Sequence, residues 1–189
     1  METAEASPWI TVFICANCAR PAKVSGAAVK ARPVIPDFNW PVRTEQIVVP
    51  CTGRLQPEHI LKAFESGASV VSVIACQENN CQYIEGSRRC SLRVDFVRSI
   101  LDEIGLGGGR LLLFSLPGSA CQDLALSAGK TTPAENSESL ETRIRAIRDQ
   151  VADVVWTFPP NPLQQLSQSN GEKGLSLEGM SFSEERVNE

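Results

Sequence analysis

Four short apolar runs, none of them alternating with polar residues, constrain this chain more than any other feature. Residues 9–14, 46–49, 69–75 and 111–116 are rich in Val, Ile and Leu. A strand with one wet face would carry a polar residue at every second position, so these runs read as strands covered on both faces. Helical patterns separate them. Residues 57–66 place Pro57 in a first turn and Ile60, Leu61 and Phe64 on one side, and Gly67 supplies the stop. Residues 88–104 align Cys90, Val94, Val97, Leu101 and Ile104 on one stripe, which Gly105 ends. Thr132-Pro133-Ala134-Glu135 is a capping-box pattern that opens a last helix carrying Leu140, Ile144, Ile147, Val151 and Val154.

Strands and helices in this alternation predict an α/β fold, a doubly wound, mostly parallel sheet of flavodoxin-like or related type. The expected domain covers residues 9–157. From Phe158 the character changes: Pro159, Pro160 and Pro162 interrupt the backbone, and polar residues then dominate. Residues 158–189 are expected to be a C-terminal extension, disordered or bound to a partner, because so polar a segment cannot bury enough surface to fold by itself. Leu163, Leu166, Leu175, Leu177, Met180 and Phe182 favour the partner-bound alternative.

The formal net charge of -4 lacks the clustered basic excess that phosphate binding needs, so nucleic acid is not an expected partner. Glu2 and Glu5 stand before a short apolar run, unlike a secretory leader, and no apolar run reaches the ~20 residues of a transmembrane span. The expected location is the cytoplasm, where thiols stay reduced and several cysteines point to metal or redox chemistry.

The seven cysteines are placed unevenly. Cys15 and Cys18 follow the first apolar run, Cys51 the second and Cys76 the third, with Cys81 five residues further along the same loop. In an open parallel sheet the loops at the carboxyl ends of the strands gather on one edge. Cys15, Cys18, Cys51, Cys76 and Cys81 are therefore expected to converge there as metal ligands, and soft thiolates suit zinc or an iron-sulfur cluster. Cys90 sits on the apolar stripe of its helix and reads as core. Cys121 follows the fourth run and is left open between a buried residue and a neighbour of the site.

Other signals lack their context. Gly129-Lys130-Thr131 ends like a phosphate-binding loop, but Leu124 stands where that loop needs glycine. Gly107-Gly108-Gly109 reads as a flexible connection, His59 as a surface residue, and Arg88, Arg89, Arg93 and Arg98 as a solvated helix face. No catalytic site is expected.

Cys15-Ala-Asn-Cys18, Val49-Pro50-Cys51-Thr52-Gly53-Arg54, Ala63-Phe64-Glu65-Ser66-Gly67-Ala68, and Ala75-Cys76 with Cys81-Gln82-Tyr83 resemble, in that order, the delta subunit of methyl-viologen-reducing hydrogenase. The likeness runs over residues 11–121. It implies a 2Fe-2S cluster and electron transfer to a flavin-containing subunit like that of heterodisulfide reductase. Further redox subunits of a hetero-oligomer are implied too, often in electron-bifurcating complexes. Family members often carry His after each cysteine of the third loop, whereas Gln77 and Gln82 stand here. This departure bears on cluster potential, as outer hydrogen-bond donors tune it. Cys51, Cys76 and Cys81 are expected to be ligands. Either Cys15 or Cys18 takes the fourth place, and the other is expected as a low-pKa neighbour. Two rival readings are a thiol-disulfide redox protein, which leaves Cys51, Cys76 and Cys81 unexplained, and a zinc-stabilised docking module.

Overall fold

The computed structural model describes residues 7–16, 18, 37–77, 81, 83–116 and 140–164. Strands β1 (Trp9–Cys15), β2 (Arg43–Val49), β3 (Val70–Cys76) and β4 (Leu111–Leu116) form one sheet in the order β2-β1-β3-β4. Every pairing is parallel: Trp9 lies opposite Arg43, Ile10 opposite Val70 and Val71 opposite Leu111. Helices α1 (Pro57–Glu65) and α2 (Gly86–Glu103) connect β2 to β3 and β3 to β4, and α3 (Leu140–Thr157) follows.

Side chains alternate across this sheet into two cores. Phe13, Val71, Val73 and Ala75 meet Ile60, Phe64, Val94, Val97 and Leu101 of α1 and α2. Ile10, Val12, Ile14, Val70 and Ile74 meet Ile147, Val151 and Val155 of α3 on the opposite face, where Phe38 also packs. The doubly wound α/β architecture expected from the four apolar runs is thus the observed one. The central strand β3 is buried at every position, whereas the edge strand β2 is mostly half-exposed. With only one neighbour, β2 tolerates Arg43 and Glu45, and so it begins three residues before its apolar run.

Three local expectations are corrected. Gly107-Gly108-Gly109 is no flexible connection: a Cβ on Gly108 would lie 2.7 Å from the Arg98 carbonyl, and one on Gly109 would lie 2.9 Å from the Phe158 ring. Close packing on both sides selects glycine there, and Gly107 adds a φ of 93°. His59 is half-buried, and its Nδ1 accepts the Gln56 N–H at 2.9 Å, closing a capping box at the start of α1. Two of the four arginines turn inward to backbone carbonyls: Arg93 donates to Gly53 and Leu55, and Arg98 to Leu111.

Residues 158–164 lie against the domain. Asn161 is buried and donates through Nδ2 to the carbonyls of Phe64 at 2.9 Å and Ala68 at 2.8 Å, closing the end of α1. Buried Arg110 donates to the carbonyls of Leu106, Ser69 and Pro159, with its guanidinium 4.8 Å from the Phe158 ring centroid. Cys121, the Gly129-Lys130-Thr131 stretch, the Thr132 capping box and residues 165–189 lie outside the described residues. Among those described, no helix is long and apolar enough to cross a membrane.

Candidate metal centre

β1 and β3 are neighbours whose onward connections part, β1 leading to the edge strand β2 and β3 to β4 on the other side. Parallel sheets of this kind bind ligands in the crevice beyond that point. Cys15 is the last residue of β1 and Cys76 the last of β3, and their Sγ atoms lie 3.5 Å apart. Cys18 stands in the turn after β1, where its N–H donates to the Cys15 carbonyl at 3.0 Å and its Sγ donates to the Cys76 Sγ at 3.2 Å. The three sulfurs fall within 4.8 Å of one another and all three residues are buried. Such a group can bind a metal ion.

Cys51 and Cys81 border this trio. Cys51 precedes the 3-10 turn Thr52–Arg54, and its Sγ accepts the Gly53 N–H at 3.4 Å and meets the Cys15 thiol. Half-buried Cys81 packs against the trio from the loop before α2. Gly86, the first residue of α2, holds the two together, since a Cβ there would stand 2.6 Å from the Cys51 Sγ and 2.8 Å from the Cys81 Sγ. A Cβ on Gly53 would lie 2.6 Å from the Gly86 Cα, so the turn and the helix meet backbone to backbone. Side-chain-free positions on both sides let two sulfurs reach one surface.

The thiols divide sharply in acidity. Hydrogen bonding to Cys15 and Cys76, then burial, drives Cys18 far above the ordinary thiol range. Hydrogen bonding to Cys15, with burial, also raises Cys51, and Cys76 is pushed up to about 12 by its bond to Cys15. Crowded sulfurs resist accumulating charge, and a bound cation would replace those protons. Cys81 goes the other way. Burial raises it, but N–H groups of Tyr83, Ser87 and Gly86 and the Ser87 side chain hydrogen-bond its sulfur and bring it below the ordinary value. The low-pKa thiol expected within the Cys15 and Cys18 pair is therefore absent at Cys18 and present at Cys81, because donors from the first turn of α2 reach only the latter.

Cys90 is buried in the helix-side core and pushed up to about 11 by burial, in line with a core role. Gly86, Ser87 and Arg93 escape a reading of the sequence alone. A glycine immediately before a helical pattern and just after a cysteine loop is the available signal, and its meaning depends on a contact with Cys51, in a different loop. Among the described cysteines no disulfide is formed.

Comparison with known proteins agrees with this arrangement. The family model for the delta subunit of methyl-viologen-reducing hydrogenase matches residues 10–133. The vhu iron-sulfur subunit of F420-non-reducing hydrogenase from Methanococcus maripaludis is 32% identical over 127 residues, 67% of this chain and 80% of that protein. Its counterpart in Methanococcus voltae is 31% identical over 160 residues, 85% of this chain and 99% of that one. A subunit of the Ferredoxin:CoB-CoM heterodisulfide reductase of Methanosarcina mazei is 30% identical over 105 residues, 55% of this chain but 12% of that much longer protein. With the match spanning the sheet and all five clustered cysteines, the chain belongs to the family of the delta subunit of methyl-viologen-reducing hydrogenase.

Proposed function

We propose that this protein is an iron-sulfur electron-transfer subunit, in which Cys15, Cys51, Cys76 and Cys81 hold a 2Fe-2S cluster. The observation that carries the reading is the gathering of sulfurs from the loops after β1 and β3 into one buried crevice, with no oxygen or nitrogen ligand among the grouped residues and with Cys51 of a third loop set beside Cys81 at Gly86. A thiol-only donor set suits an iron-sulfur cluster or zinc, and membership of a family whose relatives are named iron-sulfur subunits favours the former. When bound, such a cluster takes up and releases one electron at a time. Cys15 is assigned the fourth place over Cys18 because it meets both Cys51 and Cys76, the cysteines of the other two strand-end loops.

The partners in this reading are a flavin-containing subunit like that of heterodisulfide reductase and further redox subunits of a cytoplasmic hetero-oligomer, in an electron-bifurcating complex. The likeness to part of a longer heterodisulfide reductase chain supports it, since there a related domain is joined covalently to the rest of that protein. Anaerobic purification followed by iron and sulfide analysis and an absorption spectrum tests the assignment. About two irons and two sulfides per chain, with visible bands that bleach under dithionite, are expected. A colourless protein containing zinc would overturn it in favour of a zinc-stabilised docking module. A colourless protein free of metal, with a reversible disulfide, would favour a thiol-redox protein.

A further inference from the structure

Helix α2 carries apolar residues on two sides, and the core accounts for one of them. Cys90, Val94, Val97 and Leu101 are buried against the sheet. Leu92 and Phe96, one turn apart on the opposite side, are 62% and 56% exposed. One turn nearer the helix start stands exposed Arg88, and just before the helix come Tyr83 and Ile84, 58% and 83% exposed. The strip begins at the crevice, since the Tyr83 Cβ and the Cys81 Sγ both lie against Gly86, 3.8 and 2.8 Å from where a Cβ would stand. Cys81 is the one described cysteine that is only partly buried. A single exposed apolar side chain is ordinary, whereas a group of them edged by charge is the pattern of an interaction site. Ile84 adds strain to exposure. Its φ of 54° is a left-handed conformation that β-branched residues rarely adopt, in a bend closed by its N–H to the Cys81 carbonyl at 3.0 Å. Glycine or asparagine would suit that bend better, and the free chain gains nothing from an isoleucine held in water there. Charge along the strip is uneven as well. Glu85 pairs with Arg89 and Asp95 with Arg98, and Arg93 donates to backbone carbonyls. Arg88 has no hydrogen bond or ion pair among the described residues.

We propose that Tyr83, Ile84, Arg88, Leu92 and Phe96 form the docking face for the flavin-containing redox partner, which meets them with an apolar surface and a carboxylate opposite Arg88. The inference deepens the electron-transfer reading above and rests on it. An electron passing between subunits crosses where the donor set comes nearest the surface, and of the five clustered cysteines that is Cys81. The partner therefore seats on the residues around Cys81, and the strip continues from there along α2. A second copy of this chain, face to face, would bring another unpaired Arg88 to the interface, whereas an acidic partner neutralises the one present. The strained, exposed Ile84 is then explained as a contact residue kept at some expense to the free chain.

The test uses the full chain, purified anaerobically with its iron measured, and as probe the purified flavin-containing heterodisulfide-reductase-like subunit of the same organism. Calorimetric titration gives the affinity at low and high salt. Leu92→Glu and Phe96→Glu are expected to keep the parent's iron content, spectrum and melting temperature and to weaken binding about tenfold or more. Arg88→Glu should weaken it most at low salt. Ile104→Glu, at an exposed residue on the far end of α2, should bind as the parent does. Ile84→Asn separates docking from folding, as it should raise the melting temperature while lowering the affinity. Parent affinity in both the Leu92→Glu and Phe96→Glu variants would overturn the proposal, and so would an equal loss in Ile104→Glu or a lower melting temperature in Ile84→Asn. Sedimentation showing the parent as a dimer that Phe96→Glu disperses would give the face to a second copy instead and defeat it too. A parent that holds its iron but ignores the flavin-containing subunit sinks the docking face and leaves the cluster assignment standing. A parent without iron overturns the cluster assignment, and this inference with it.

Discussion

Arg93 donates one guanidinium N–H to the Gly53 carbonyl at 2.5 Å, and so ties the middle of α2 to the turn that carries Cys51. A second bond, to the Leu55 carbonyl at 3.1 Å, fixes the same turn from its far end. The thiol and the arginine are far apart in sequence, yet the position of Cys51 depends on this clamp. Replacing Arg93 by Met keeps the apolar stem and removes both donors, at an expected cost of about 1–3 kcal/mol in unfolding free energy. Iron loading should fall as well. Urea unfolding and iron analysis of the variant check both, and unchanged iron content would show that the turn keeps its place without the clamp.

Single replacement of cysteines by serine should separate them into groups. Cys15→Ser, Cys51→Ser, Cys76→Ser and Cys81→Ser are expected to lose or destabilise the visible chromophore. Cys18→Ser should keep it with an altered spectrum, since only a donor to Cys76 changes. Cys90→Ser puts a hydroxyl into the core and should cost about 1–3 kcal/mol with the spectrum retained. Absorption spectra recorded at equal protein concentration decide the ranking. A bleached Cys90 variant beside a coloured Cys51 variant would reverse it.

Gly86→Ala is a sharp probe because propensity and geometry oppose each other there. Within a helix, alanine in place of glycine gains up to about 1 kcal/mol. Here the added Cβ would strike the sulfurs of Cys51 and Cys81 at 2.6 and 2.8 Å. The expected result is a folded protein with normal helix content by circular dichroism and a severe loss of iron.

His59 gives a pH dependence of known sign. Its Nδ1 must be unprotonated to accept the Gln56 N–H, and burial lowers its pKa below the ordinary 6.5, with Glu58 partly opposing. The folded state therefore takes up the proton less readily than the unfolded one. The contribution is fully present above pH 6.5 and is lost as pH falls towards the lowered folded-state value. Melting temperatures measured between about pH 8 and pH 5 should fall more for the parent than for His59→Gln, since the carboxylates titrating in that range are common to both. Parallel curves would count against the capping role.

The contacts of residues 158–164 predict two different truncations. Ending the chain at Gln164 should leave the melting temperature nearly unchanged. Ending it at Thr157 removes the Asn161 bonds to Phe64 and Ala68 and the Pro159 acceptor of Arg110. Each buried group left unsatisfied costs about 1–3 kcal/mol, so the shorter chain should melt markedly earlier. Equal melting temperatures would mean that these contacts contribute little.

Val, Ile and Leu runs made the sheet legible because burial on both faces favours apolar residues along β3, where all seven residues are covered and only Ser72 is polar. The start of β2 escaped notice for the opposite reason, since an edge strand accepts Arg43 and Glu45. Cys15 and Cys76 could be placed together from topology alone, as last residues of strands meeting at one edge. The roles of Arg93, Gly86 and Ser87 could not. Each acts through a contact with a loop outside its own helix, and the letters themselves match an ordinary helix beginning. Asn161 was hidden similarly, standing in a proline-broken stretch whose polarity suggested solvent while its amide was filling the end of α1.

Cys15 and Cys76 end strands that pair in fixed register, which has a consequence for the life of the protein. In metal fingers the ion creates the fold, and without it the chain is a coil. Here the two sulfurs are brought to 3.5 Å at the ends of strands held by a ladder of backbone bonds and by two apolar cores. Folding and metal loading are thereby expected to be separable. In the reading proposed above, a freshly made chain would then be expected to present these sulfurs already gathered, before any metal is loaded.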